Sequence, residues 1–159
     1  MGQAGTPADG DRNRRLDGSR APLKAVVDTN VVAYLLFGTE GFVDEARACL
    51  DTVSSPIAPA HWEVELANVI WMAVRSGILP SAEGPVRLRL ARRLGIESVN
   101  TTTLCQGALL RSVMSGLAVY DTLFVELAAR TGCPLVTFDK AVIRAFSDIA
   151  IRPRDLTKR

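Results

Sequence analysis

A chain of 159 residues with 48% apolar and 23% charged side chains is sized for one domain with a filled core. It has no apolar run near the roughly 20 residues of a membrane span and no signal-peptide core at its start, so a cytoplasmic protein without membrane contact is expected. A single histidine, His61, and three widely spaced cysteines, Cys49, Cys105 and Cys133, exclude histidine-rich or zinc-finger cages and read as reduced, buried thiols, while a net charge of +2 does not by itself announce nucleic acid.

Residues 1–22 are rich in Gly, Pro, Asp and Arg (Arg12, Arg14, Arg15, Arg20) with almost nothing to bury. They are expected to form a flexible tail, its arginines solvated, ahead of a domain over 23–159. That domain opens with Lys24-Ala-Val-Val-Asp28, an apolar run ending in an acid, as suits a buried parallel strand. An apolar helix over 31–37 follows, stopped by Gly38, then a helix over 42–53 with Val43, Ala46, Leu50 and Val53 on one face. Residues 56–59 read as a short strand or a turn, and 60–76 as a long helix closed by Gly77.

Ser81 is the expected N-cap of the next helix, in which Val86, Leu90 and Leu94 recur at intervals of four. A strand is expected over 96–99, then two helices over 104–115 and 119–131, divided by Gly116. A buried strand over 134–138 ends at Asp139, and a helix over 141–146 and a strand over 149–151 complete the series. Strands alternating with helices predict a three-layer α/β/α sandwich around a mostly parallel sheet. Such folds bind ligands beyond the carboxyl ends of their strands, where Asp28 and Asp139 fall.

Two further acids are unusually placed. On the helix over 60–76, Trp62, Leu66, Val69 and Ala73 are the expected apolar stripe, and Glu65 lies in the arc between Met72 and Ile70. Asp121 stands in the first turn of a helix that is apolar nearly all round; Glu126, farther along, has no such placement. Each acid alone has an ordinary account. Glu65 can snorkel to water, and Asp28, Asp121 and Asp139 can cap helices. Jointly they can converge on one cleft, where four carboxylates would repel unless some were protonated or a divalent cation were held. With oxygen ligands only, that cation is Mg²⁺ or Mn²⁺.

In order, Val26-Val-Asp28-Thr-Asn30, Glu65-Leu-Ala-Asn68, Tyr120-Asp121-Thr-Leu-Phe124 and Val136-Thr137-Phe-Asp139 resemble the PIN-domain signature over about residues 24–153. Within that family the short single-domain form is similar to the VapC toxins of bacterial toxin–antitoxin pairs. The resemblance implies an Mg²⁺- or Mn²⁺-dependent ribonuclease. Asp28, Glu65, Asp121 and Asp139 would be its catalytic and metal-holding acids, with Asn30 and Thr137 as polar supports. It also implies a homodimer, for which Leu35, Leu36, Phe37 and Trp71 offer apolar surface. A cognate antitoxin would set an Arg or Lys against the acids and dock apolar anchors along 31–53. The chain departs from the pattern in its long N-terminal tail and in Thr122, where a small alanine often stands.

RNA would need a positive rim. Arg87, Arg89, Arg92 and Arg93 are candidates on one helix, Lys140 and Arg144 follow the last acid, and Arg152, Arg154, Lys158 and Arg159 lie at the end. With no aromatic row for base stacking, RNA shape or loop structure is the expected determinant. An aspartyl phosphatase would want an aspartate at Asn30, and a receiver domain an acidic pair at its first strand, so both rivals weaken. A housekeeping RNA-processing nuclease and a silent PIN-like binding module remain alternatives.

Overall fold

The computed structural model describes residues 23–158, with side chains described through Leu156; the expected N-terminal tail lies outside the described residues. Five short strands make one sheet: β1 (Lys24–Val27), β2 (Ser55–Pro59), β3 (Glu97–Val99), β4 (Leu135–Val136) and β5 (Ala150–Ile151). Their order is β3-β2-β1-β4-β5 and every pairing is parallel. Ala25, Val26 and Val27 are all buried, as a central strand covered on both faces requires. Val26 pairs with Ile57 on one side and Leu135 on the other. The strand order therefore reverses at β1, and the crevice between the ends of β1 and β4 is the topological switch point.

Among the described residues seven helices flank the sheet: α1 (Thr29–Phe37), α2 (Val43–Thr52), α3 (Trp62–Arg75), α4 (Gly84–Arg92), α5 (Cys105–Ser115), α6 (Val119–Thr131) and α7 (Lys140–Ala145). Helix α6 lies on β1, β2 and β4 and carries α5, while α1 packs with α2, α3 and α4. This is the expected three-layer α/β/α sandwich. Every residue from Thr122 to Ala128 is buried, so α6 is a core helix despite a threonine and a glutamate in that run. The Thr122 hydroxyl donates to the Ala108 carbonyl (2.8 Å) and lies 2.8 Å from Ser112 Oγ, which fastens α6 to α5. Glu126 is only 7% exposed and is held by Arg111 (2.8 Å) and Arg130 (2.6 Å). Gly107 of α5 makes room for it, since a Cβ there would overlap the Glu126 carboxylate.

The helices rotate differently from expectation in two places. The buried row of α3 is Trp62, Leu66, Ile70 and Ala73, while Val69 is exposed. In α4, Val86 and Leu90 face outward, and Gly84, Leu88 and Ala91 turn inward. Gly84 explains this orientation: a Cβ there would already touch Ile70 (3.4 Å), so the small-residue edge of α4 seats closely on α3. Ser81 does not cap α4 but begins a 3-10 turn over Ser81–Glu83, after which Gly84-Pro85 starts the helix. Only Cys49 fits the expected buried thiols, as Cys105 is exposed and Cys133 half-buried; all three are free. Among the described residues no single helix is long and apolar enough to cross a membrane; α5 and α6 have that length only jointly, across a 114° bend.

Candidate active site

Each of the four predicted acids stands at or just inside the N-terminal end of a helix. Asp28 caps α1, Asp139 caps α7, Asp121 lies in the first turn of α6 and Glu65 at the start of α3. The helices following β1, β2 and β4 begin where those strands end, so a parallel sheet gathers such N-termini along one edge. Their dipoles favour negative charge there.

A hydroxyl and an amide organise the crevice. Thr137, fully buried past the end of β4, donates from Oγ1 to Asp28 Oδ2 (2.6 Å). The same oxygen accepts from Asn30 Nδ2 (3.0 Å) and from the Asp139 amide (2.9 Å). Asn30 also donates to Asp28 Oδ2 (2.9 Å) and accepts from the Phe138 amide (3.1 Å). Asn30 and Thr137 thus tie together the chain after β1 and the chain after β4. β4 ends at Val136, earlier than expected, although the Thr137 amide still donates to the Ile151 carbonyl (3.0 Å) and so holds that residue beside β5. Behind it the Phe138 ring packs edge-on against Tyr34 and Phe42, beneath the guanidinium of Arg152 (5.5 Å). Asp139 accepts at Oδ1 from the amides of Ala141 (2.6 Å) and Val142 (3.2 Å).

On α3, Glu65 Oε2 accepts from the buried Thr29 hydroxyl (2.6 Å). Its Oε1 lies 3.4 Å from His61 Nε2. Sequence reasoning missed both neighbours. Thr29 was in view as the middle residue of Asp28-Thr-Asn30, and His61 stands one helical turn before Glu65. Asp121 makes no side-chain hydrogen bond among the described residues.

Electrostatics bring the four together. Burial pushes Asp28 up from its ordinary 3.8 to about 6 against the pull of Thr137 and the Asn30 amide, and the charges of Glu65 and Asp121 add to the rise. Asp121 is also raised, first by burial, then by Asp139 and Glu65, with His61 opposing. No Lys or Arg among the described residues relieves either group. The carboxylates therefore share one field without a fixed counter-charge. Among the described residues no three of them close around a single point as their side chains stand. Oxygen-only donors under mutual repulsion nevertheless suit a hard divalent cation, with Asp28, Glu65, Asp121 and Asp139 as the residues able to hold it.

The PIN domain family model matches residues 25–150. Ribonuclease VapC3 of Mycobacterium tuberculosis, from strains CDC 1551 / Oshkosh and ATCC 25618 / H37Rv, is 30% identical over 125 residues, covering 79% of this chain and 89% of the relative. Among solved structures, PAE2754 from Pyrobaculum aerophilum superposes with a TM-score of 0.67 at 18% identity, over 87% of this chain and 98% of that one. A toxin–antitoxin complex from Klebsiella pneumoniae gives a TM-score of 0.59 at 18% identity, over 81% and 97%. The family match runs from β1 to β5 and takes in every acid of the crevice: the chain belongs to the PIN domain family.

Proposed function

We propose that this chain is an Mg²⁺- or Mn²⁺-dependent endoribonuclease that acts in the cytoplasm as the toxin of a toxin–antitoxin pair. The observation that carries the reading is the set of four acids at one sheet edge, two of them raised by burial and by neighbouring acids of the set, with no Lys or Arg among the described residues to neutralise them. The family, and a relative named as a ribonuclease, support RNA as substrate.

A divalent ion bound by such acids supplies water activation and charge relief at a phosphodiester. The chain's own part is geometry. Thr137 and Asn30 fix the Asp28 carboxylate, two amides fix Asp139, and Thr29 holds one oxygen of Glu65. Of the proposed positive rim, Arg89, Arg93, Lys140 and Arg144 are exposed and have no carboxylate partner among the described residues. Arg87 is engaged by Glu83 and the Leu36 carbonyl, Arg92 by Glu63, and Arg152 by a two-pronged pair with Glu45 (2.8 and 3.0 Å). Arg152 is thereby a structural clamp and leaves the RNA-binding set. The side chain of Lys158, and Arg159, lie outside the described residues.

An antitoxin and a second copy are the proposed protein partners. A groove of about 360 Å³ runs between Ala33, Tyr34 and Phe37 of α1 and Val69, Met72 and Ala73 of α3. It suits an apolar anchor of the proposed antitoxin, and it shares α1 with the docking segment expected over 31–53. For the homodimer, Leu35, Leu36 and Phe37 are partly buried against the core, whereas Trp71 of α3 and Leu109, Leu110, Val113 and Met114 of α5 are exposed.

Incubating the purified chain with a mixed RNA pool tests the enzyme. Cleavage is expected with Mg²⁺ or Mn²⁺, is lost on chelation and is lost in Asp28→Asn; cleavage at the wild-type rate by that variant overturns the site. Expression alone and together with any small gene found beside this one separates toxin from housekeeping nuclease. The toxin reading requires growth arrest by the chain alone, and rescue with co-purification by the neighbour.

A further inference from the structure

His61 is the chain's only histidine, and the function proposed above gives it no role. It immediately precedes α3, and its side chain is 14% exposed. Neither Nδ1 nor Nε2 has a hydrogen-bond partner among the described residues, and both atoms are sealed from solvent. A buried ring nitrogen without a partner costs about 1–3 kcal/mol, so an arrangement of this kind calls for an acceptor nearby. One polar group stands close: Glu65 Oε1, 3.4 Å from Nε2, slightly beyond a hydrogen bond.

The ring is held from the opposite side by α6. Phe124 meets it edge-on with centroids 5.1 Å apart, and Tyr120 lies at 6.0 Å. These two residues flank Asp121 in sequence, one before it and three after. His61 therefore fills the space between the two helices that deliver Glu65 and Asp121. The other oxygen of Glu65 is already fixed by Thr29 at 2.6 Å. A carboxylate held at one oxygen still turns about its last torsion; held at both, it has one orientation.

We propose that His61 is a positioning residue of the acid site: its Nε2–H donates to Glu65 Oε1, and with Thr29 on Oε2 it sets the carboxylate for divalent-ion binding. This rests on the metal-dependent reading above. Groups that orient a metal-holding side chain through its second polar atom typically govern affinity by about 10- to 100-fold.

Three variants resolve the role by atom. His61→Phe keeps the ring packing on Phe124 and Tyr120 and removes the donor. His61→Gln returns an N–H near the place of Nε2. His61→Asn returns one only near Nδ1. Mn²⁺ binding to the full chain is read as loss of the free-ion electron paramagnetic resonance signal, alongside melting temperature and RNA cleavage. His61→Phe is expected to bind Mn²⁺ about tenfold more weakly or worse, with a metal-free melting temperature close to that of wild type, because the Nε2 hydrogen bond and the buried, unpartnered Nδ1 are lost together. His61→Gln restores most of the affinity and of the cleavage rate; His61→Asn does not. Wild-type affinity in His61→Phe, or a Gln variant no better than Phe, overturns the proposal. Absence of Mn²⁺ binding by the wild type defeats the metal reading itself, and is distinguished by needing no variant.

Discussion

Two regions of this molecule bury acids, and they do so in opposite ways. In the α5–α6 hairpin, Glu126 is clasped by Arg111 and Arg130, and its carboxyl is held below the ordinary range by those two arginines despite its burial. In the crevice between β1 and β4, burial and neighbouring carboxylates push Asp28 and Asp121 up. The first arrangement is complete as it stands. The second costs folding free energy at neutral pH: for Asp28, a rise from 3.8 to about 6 corresponds to about 3 kcal/mol. A buried acid with its counter-charges supplied is a structural joint. One assembled with three more acids, and with no fixed cation among the described residues, is what the proposed divalent-ion site would require.

The largest expected effect follows from the hydroxyl that serves both aspartates. Thr137→Val keeps the shape but removes one of the donors to Asp28, leaving Asn30 Nδ2 with Asp28 alone and the Asp139 amide without its hydroxyl acceptor. Cleavage is expected to fall by about 10- to 100-fold and stability by about 2–4 kcal/mol. Thr137→Ser restores both. Cleavage kinetics and chemical denaturation of the three proteins check this, and a Val variant with the wild-type rate would break the link between the network and the site.

The paired acid predicts the reverse division. Glu126→Gln leaves Arg111 and Arg130 short of their carboxylate; as Arg130 is 47% exposed, the cost is discounted to about 2 kcal/mol. Denaturation registers that loss, while the cleavage rate of the folded protein stays at wild type. A variant of normal stability and poor activity would put Glu126 in the site and dissolve the contrast.

A smaller effect separates the two regions by pH. The folded chain holds the Asp28 proton more tightly than the unfolded chain does. The Asp28 penalty is therefore full above about pH 6 and fades as pH falls toward 3.8. Glu126 and Glu45, held low by their arginines, contribute stability that is present above 4.5 and lost as pH falls through their folded values. Metal-free stability, compared across pH, should show Asp28→Asn gaining on wild type only on the neutral side. Glu126→Gln should lose to wild type least in acid.

The acids of the crevice were legible in the sequence because each ends a short apolar run or opens a helix, and a parallel sheet sends such positions to one edge. Asn30 and Thr137 entered through the family resemblance, but their shared work on Asp28 joins positions 107 and 109 residues apart and needs the fold to be seen. Glu126 was set aside as having no special placement because its partner Arg111 lies on the other arm of the hairpin, 15 residues earlier. In α4 two helical rows competed. The row Val86, Leu90 and Leu94 was the natural choice, yet within α4 it is Gly84, Leu88 and Ala91 that turn inward, with Gly84 seated close to Ile70, and only Leu94, beyond the helix, packs on the core as expected. Which row wins depends on the shape of the partner helix, and α4's own sequence does not contain it.

The central claim is that the uncompensated acids form one divalent-ion site, and thermal unfolding at neutral pH with and without Mn²⁺ tests it most directly. Without metal, Asp28→Asn should melt several degrees above wild type, because a buried and repelled charge has been removed. Mn²⁺ should raise the melting temperature of wild type, since an ion bound only by the folded state stabilises it, and should leave the variant where it was. An Asn variant that melts below wild type without metal and responds to Mn²⁺ just as strongly would contradict the account.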